Sequence, residues 1–108
     1  MRPITYQVNL VEKRTPHCRL SVVLRLVDER KVRATNSAIA GALAMGLVGE
    51  DVIDVVRNLK MADFLKSMTS YRDHRLWQDV YRPMTKSGPA YVKLTVVDDV
   101  LIVSFKEL

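Results

Sequence analysis

The chain has 108 residues, 48% of them hydrophobic and 27% charged, with four Gly and four Pro; this balance fits one globular domain and excludes disordered, collagen-like and low-complexity classes. Seventeen Lys/Arg against twelve Asp/Glu give a net charge of +5, which suits a polyanion such as RNA or an acidic protein partner. A single cysteine, Cys18, excludes an intrachain disulfide, and even with His17 and His74 it cannot complete a tetrahedral zinc site without carboxylates.

Residues 1–10 read as an extended arm, with Ile4, Tyr6, Val8 and Leu10 alternating after Pro3. Thr15-Pro16 predicts a helix start, with Thr15 as cap and Pro16 in the first turn. Leu20, Val23, Leu24 and Val27 then fall on one helical face, and Arg30 and Lys31 sit near its end. A second helix is predicted from a cap at Thr35 or Asn36; it carries Ile39, Ala42 and Leu43 and stops at a left-handed Gly46. A third begins near Gly49, with Glu50 and Asp51 in its first turn and Val52, Ile53, Val56 and Leu59 facing inward.

Beyond residue 63 the period changes. Phe64–Met68, Leu76–Tyr81, Ala90–Val97 and Val100–Phe105 are rich in β-branched and aromatic residues and are bounded by turn chemistry such as Lys86-Ser87-Gly88-Pro89. Helices first and consecutive strands second predict an α+β fold, N-terminal helices packed on a mainly antiparallel sheet formed by the C-terminal half. The uncharged stretch from Ala34 to Val48 falls short of the ~20 apolar residues that span a bilayer. No basic and then apolar leader opens the chain, so the expectation is a cytoplasmic protein with no membrane partner.

Strand alternation selects the residues that can meet. A two-residue turn at Asp98-Asp99 predicts the pairs 97:100, 95:102, 93:104 and 91:106. One face then holds Val92, Leu94 and Val96 against Leu101, Val103 and Phe105. The other holds Tyr91, Lys93, Thr95, Ser104 and Lys106, with Tyr91 beside Lys106. In the earlier strands Gln78, Val80 and Arg82 share a face, leaving Trp77, Asp79 and Tyr81 on the other, and Lys66 and Met68 share a side. A face holding Lys66, Gln78, Arg82, Tyr91 and Lys106 is a cationic, hydrogen-bonding patch suited to a phosphodiester; a plain solvated face has the same composition.

Residues 64–74 (FLKSMTSYRDH), 76–83 (LWQDVYRP), 12–17 (EKRTPH) and 98–106 (DDVLIVSFK) closely resemble the MqsR family, named for motility and quorum-sensing regulation. The resemblance covers residues 12–108, leaving residues 1–11 as an N-terminal extension, with Val11 where an initiator methionine is expected. It implies a RelE-like toxin of a type II toxin–antitoxin module, an endoribonuclease that cuts single-stranded mRNA at short GC-containing sequences without the ribosome. It also implies a cognate MqsA-like antitoxin with a zinc-binding N-terminal domain and a helix-turn-helix C-terminal domain. By position, the family's functional residues fall on Lys66, Met68, Gln78, Arg82, Tyr91 and Lys106. One departure stands out: the family commonly has Tyr or Phe where this chain has Leu65, which carries no hydroxyl.

Cleavage without a metal or other cofactor means attack of the 2′-hydroxyl on the adjacent phosphorus, leaving a 2′,3′-cyclic phosphate (or 3′-phosphate) and a 5′-hydroxyl. Arg82 suits the phosphorane as a permanent bidentate cation, and Lys66 and Lys106 act as point charges. Lys66 becomes a base only if burial or neighbouring cations lower its pKa. Gln78 orients by hydrogen bonds, and Tyr91 is a proton donor or a stacking platform. Met68, Lys93 and His74, in the 71–75 turn, are candidate substrate contacts. His17 reads as helix-start structure, Cys18 as a small buried hydrophobe, and Trp77 and Tyr81 as core. The rival reading is a non-catalytic RNA- or antitoxin-binding module of the same fold.

Overall fold

The computed structural model describes residues 11–70, 73 and 75–108; the expectations for the arm at 1–10 and for His74 lie outside the described residues. In chain order the elements are β1 (Glu12–Lys13), α1 (Leu20–Asp28), β2 (Val32–Ala34), α2 (Asn36–Ala44), α3 (Glu50–Arg57), a 3-10 turn (Met61–Asp63), β3 (Phe64–Thr69), β4 (Trp77–Tyr81), β5 (Met84–Thr85), β6 (Gly88–Val97) and β7 (Asp99–Glu107). The sheet runs β1-β3-β4-β6-β7-β2, with β5 pairing β6 off this path. Every pair is antiparallel except β2 with β7. The fold is α+β, helices early and strands mainly in the C-terminal half, as the change of period predicts.

α1 begins later than Thr15-Pro16 suggests, for a reason lodged in the sheet. The backbone N–H groups of His17 and Cys18 donate to the two carboxylate oxygens of Asp79 at 2.9 and 3.0 Å, so residues before Arg19 are drawn into bends. Asp79 is buried and also accepts from the Ser67 hydroxyl at 2.6 Å. A buried carboxylate needs such donors. α1 then buries Val23, Leu26 and Val27.

Thr35 caps α2, its hydroxyl accepting from Ala38 N–H at 3.0 Å. Gly46, at φ +78°, ends it in the left-handed conformation, with Gly46 N–H on Leu43 O and Leu47 N–H on Ala42 O. The inward face of α2 is Ala38 and Ala42; Ile39 and Leu43 are exposed. Small residues let this helix approach closely: a Cβ on Gly41 would stand 1.9 Å from the Phe105 carbonyl oxygen. α3 turns Val56 inward, with Val52 and Ile53 packed on the rim of the core.

The β6–β7 hairpin corrects the predicted register. Its turn is odd in length: Val97 pairs Asp99 and Val96 pairs Val100, with Asp98 at φ +70°. The pairs 97:100 and 95:102 do not form; Thr95 faces Leu101. The register then shifts between Lys93 and Leu94, leaving Val103 as an unpaired bulge residue. Beyond it Lys93 faces Ser104 and Tyr91 faces Lys106. The odd turn flips the parity and the bulge flips it back. The buried layer of β7 is accordingly Val100, Ile102 and Phe105, in place of Leu101, Val103 and Phe105. It meets Val92, Leu94 and Tyr81 beneath α1 and α2.

Candidate active site

The face of the sheet turned away from the helices carries the polar residues. One row of cross-strand partners runs Lys66, Val80, Lys93, Ser104 over β3, β4, β6 and β7. On either side of this row lie Met68 with Gln78 and Tyr91 with Lys106. Partners across a ladder share a face, as do residues two apart along a strand. Lys66, Met68, Gln78, Lys93, Tyr91 and Lys106 are therefore brought to one side. Arg82 follows the buried Tyr81 just past the end of β4; it is exposed, and its N–H donates to Asp63 O at 2.7 Å.

Val80 is fully buried on this face although it lies outside the main core, flanked in register by Lys66 and Lys93. Lysine stems serve as cover for such a position while their ammonium groups stay at the surface.

The ammonium groups gather around one ring. Lys106 Nζ lies 5.2 Å and Lys93 Nζ 6.0 Å from the centroid of Tyr91. Burial, then the ammonium groups of Lys106 and Lys66, push Lys93 below the ordinary lysine range. Positive charge concentrated in this way is chemically suited to a phosphodiester and to the extra charge of a pentacoordinate phosphorus.

Lys66 holds an ion pair with Glu12 of β1, Nζ to Oε2 2.7 Å. Sequence reading missed Glu12, because a two-residue strand has no periodicity to reveal it. The register does reveal it: Glu12 faces Met68 across β1 and β3, so it shares the lysine face. The adjacent Lys13 faces Ser67 and lies on the opposite side.

Leu65 is the extra residue of a second bulge, since Phe64 faces Tyr81 and Lys66 faces Val80. Both bulges border the lysine face and turn side chains that an uninterrupted ladder would direct elsewhere.

Other singled-out residues lie on the helix side. Trp77 is half-buried and stands outside the core, stacked on His17 with ring centroids 5.4 Å apart and with Lys13 Nζ 4.2 Å from its ring. Tyr81 is core, its hydroxyl buried and its pKa pushed up by burial and then by Asp79. Cys18 packs at the core margin, and burial with the nearby Asp79 pushes its thiol up, opposite to what a nucleophile needs. Two cavities, of about 360 and 280 Å³, are lined by residues from none of the lysine-face positions.

Among the described residues no three His, Cys, Asp or Glu side chains are grouped as metal ligands, and no helix is long and apolar enough to cross a membrane. Residues 15–107 match the family model described as motility quorum-sensing regulator, toxin of MqsA. The chain is also 54% identical over 97 residues to the mRNA interferase toxin MqsR of Escherichia coli (strain K12), a match that spans 90% of this chain and 99% of that one. Extent and identity together place the chain in the MqsR toxin family.

Proposed function

We propose that this chain is an endoribonuclease toxin that cuts single-stranded mRNA in the cytoplasm, without the ribosome and without a metal, at short GC-containing sequences. Its domain is residues 12–108, and residues 1–11 precede it. Its partner is an MqsA-like antitoxin with a zinc-binding and a helix-turn-helix domain. The observation that carries the reading is the gathering of Lys93 and Lys106 about Tyr91 on the sheet face that also carries Lys66. Similarity to an mRNA interferase toxin supplies the substrate class.

On this reading the 2′-hydroxyl attacks the adjacent phosphorus and the 5′ oxygen leaves. Arg82, Lys66 and Lys106 hold the phosphoryl oxygens, and their fixed positive charge stabilises the phosphorane more than the ground state. Gln78 orients the ribose or phosphate without titrating. Tyr91 presents a ring on which a base stacks, and Met68 and Lys93 border the strand's path. His74 remains a substrate contact of the same proposal.

The test is incubation of the purified protein with a defined single-stranded RNA in EDTA. Cleavage with 2′,3′-cyclic phosphate ends, abolished in Lys66→Ala and Arg82→Ala, is the expected result. Leu65 favours the rival non-catalytic module, because that position carries no hydroxyl for proton transfer. RNA that shifts on a gel but stays intact would establish that module instead.

A further inference from the structure

Acid–base groups are the gap in the mechanism above. Lys66 is engaged as the cation of an ion pair with Glu12, and an ammonium in that state has no lone pair for a proton. Among the described residues the rest of the polar face is lysine, arginine, glutamine, tyrosine, serine and threonine, none of them a strong resident base at neutral pH. Glu12 differs. Its carboxylate lies on the same face, at the β1 edge, in contact with the lysine assigned to the phosphoryl group.

We propose that Glu12 is the general base that removes the 2′-hydroxyl proton. The inference rests on the ribonuclease reading above and deepens it. A phosphoryl oxygen on Lys66 brings the neighbouring ribose beside Glu12, because both groups share one ammonium. Glu12 is at one end of the row, and Lys93 and Lys106 are toward the other, across β4. In-line displacement needs that division, with a proton acceptor on one side of phosphorus and a donor on the other.

The step balances as follows. The 2′-O–H bond breaks and its proton passes to a Glu12 Oε. The 2′ oxygen forms a bond to phosphorus as the P–O5′ bond breaks. The 5′ oxygen takes a proton from the Lys93 ammonium, and solvent exchange later restores both groups. No oxidant, reductant or metal enters.

Charge around Glu12 sets its working range. The hydrogen bond from Lys66, followed by the charges of Lys66 and Arg14, holds its carboxyl below the ordinary range, so it is ionised and able to accept throughout neutral pH. A base of this kind gives the rate its acid limb, and the Lys93 ammonium, as the acid, gives it an alkaline one.

The experiment compares single-turnover cleavage of one single-stranded RNA by wild type, Glu12→Gln, Glu12→His and Lys106→Ala. Binding is measured in parallel on the same oligonucleotide with a 2′-deoxy sugar at the cut site. Glu12→Gln is expected to cut about 10²–10⁴-fold more slowly, the usual contribution of a general base. It should bind the uncleavable strand at least as tightly, having lost a negative charge. Glu12→His is expected to recover part of the rate, with the acid limb of the pH profile moved up toward about 6.5, the histidine range. A structural role for Glu12 would not move that limb. Glu12→Gln cutting at the wild-type rate or faster, while Lys106→Ala is impaired, overturns the base assignment and leaves the ribonuclease reading standing. A wild type that cuts no RNA overturns both.

Discussion

Tyr91 and Lys106 face one another across β6 and β7, with the Lys106 ammonium 5.2 Å from the ring centroid, and they do so because Val103 is left out of the ladder. Without the bulge, continuation of the turn-proximal register would set Tyr91 opposite Phe105 and carry Lys106 into the buried layer opposite Ala90. Deleting Val103 instead closes the bulge and leaves Lys93 opposite Ser104, Val92 opposite Phe105 and Tyr91 opposite Lys106, so the variant is expected to keep the fold at a cost of about 1–3 kcal/mol. Val103→Ala keeps the residue count and should cost only about 1 kcal/mol. Urea unfolding of the two variants separates the loss of the bulge from the loss of a side chain.

The same bulge is tied to a helix. The Thr35 hydroxyl accepts from Ala38 N–H and donates to the Val103 carbonyl at 2.9 Å. Thr35→Ala should lower stability by about 1–2 kcal/mol, a lost cap together with a lost hydrogen bond. Thr35→Ser preserves both bonds and should remain within about 0.5 kcal/mol of wild type. Chemical denaturation reads each value.

Asp79 joins the segment before α1 to the sheet through His17 N–H, Cys18 N–H and the Ser67 hydroxyl. Asp79→Ala strands those donors, each costing about 1–3 kcal/mol where it stays dry. The expected outcome is a destabilised protein in which the His17 and Cys18 amides exchange with solvent markedly faster. Hydrogen exchange followed by NMR reports on those two amides directly.

Lys93 carries a pH signature. Its folded pKa lies below the ordinary ~10.4, so at pH values between the two the unfolded chain binds the extra proton. Stability consequently rises with pH through that window. Lys93→Met, which removes the cost of holding an ammonium beside Lys106 and Lys66, should be more stable than wild type near pH 7–8. The advantage should shrink as pH climbs toward about 10.4. Thermal unfolding over that range provides the comparison.

Polyanion binding has its own observable. Each lysine of the face that contacts a phosphate releases counterions from a single strand, so Lys106→Ala and Lys93→Ala should each flatten the plot of log affinity against log salt by about 0.7. Lys86→Ala removes a cation that pairs with Asp51 away from this face and should leave the slope unchanged. Fluorescence titration of a labelled uncleavable RNA at several salt concentrations checks all three.

Much of the fold can be read along the chain wherever a period is long enough to be seen. α2 has its cap at Thr35 and its stop at Gly46, as predicted, α3 starts at Glu50 beside the predicted Gly49, and β3, β4, β6 and β7 lie where β-branched residues cluster. The far half of the hairpin has the predicted pairing of Tyr91 with Lys106, yet the near half does not, because an odd turn and a later bulge cancel. Alternation sees parity and is blind to two compensating shifts. Glu12 escaped for another reason: it reaches Lys66 across 54 residues of chain, from a strand too short to carry a pattern. β2 is likewise only three residues long, and its alignment beside β7 is written in tertiary contacts.

The core that joins the helices to the sheet lies on the side opposite the lysines, so among the described residues no helix stands over the cationic face. On the ribonuclease reading, an RNA strand reaches this face without passing beneath any of the described helices.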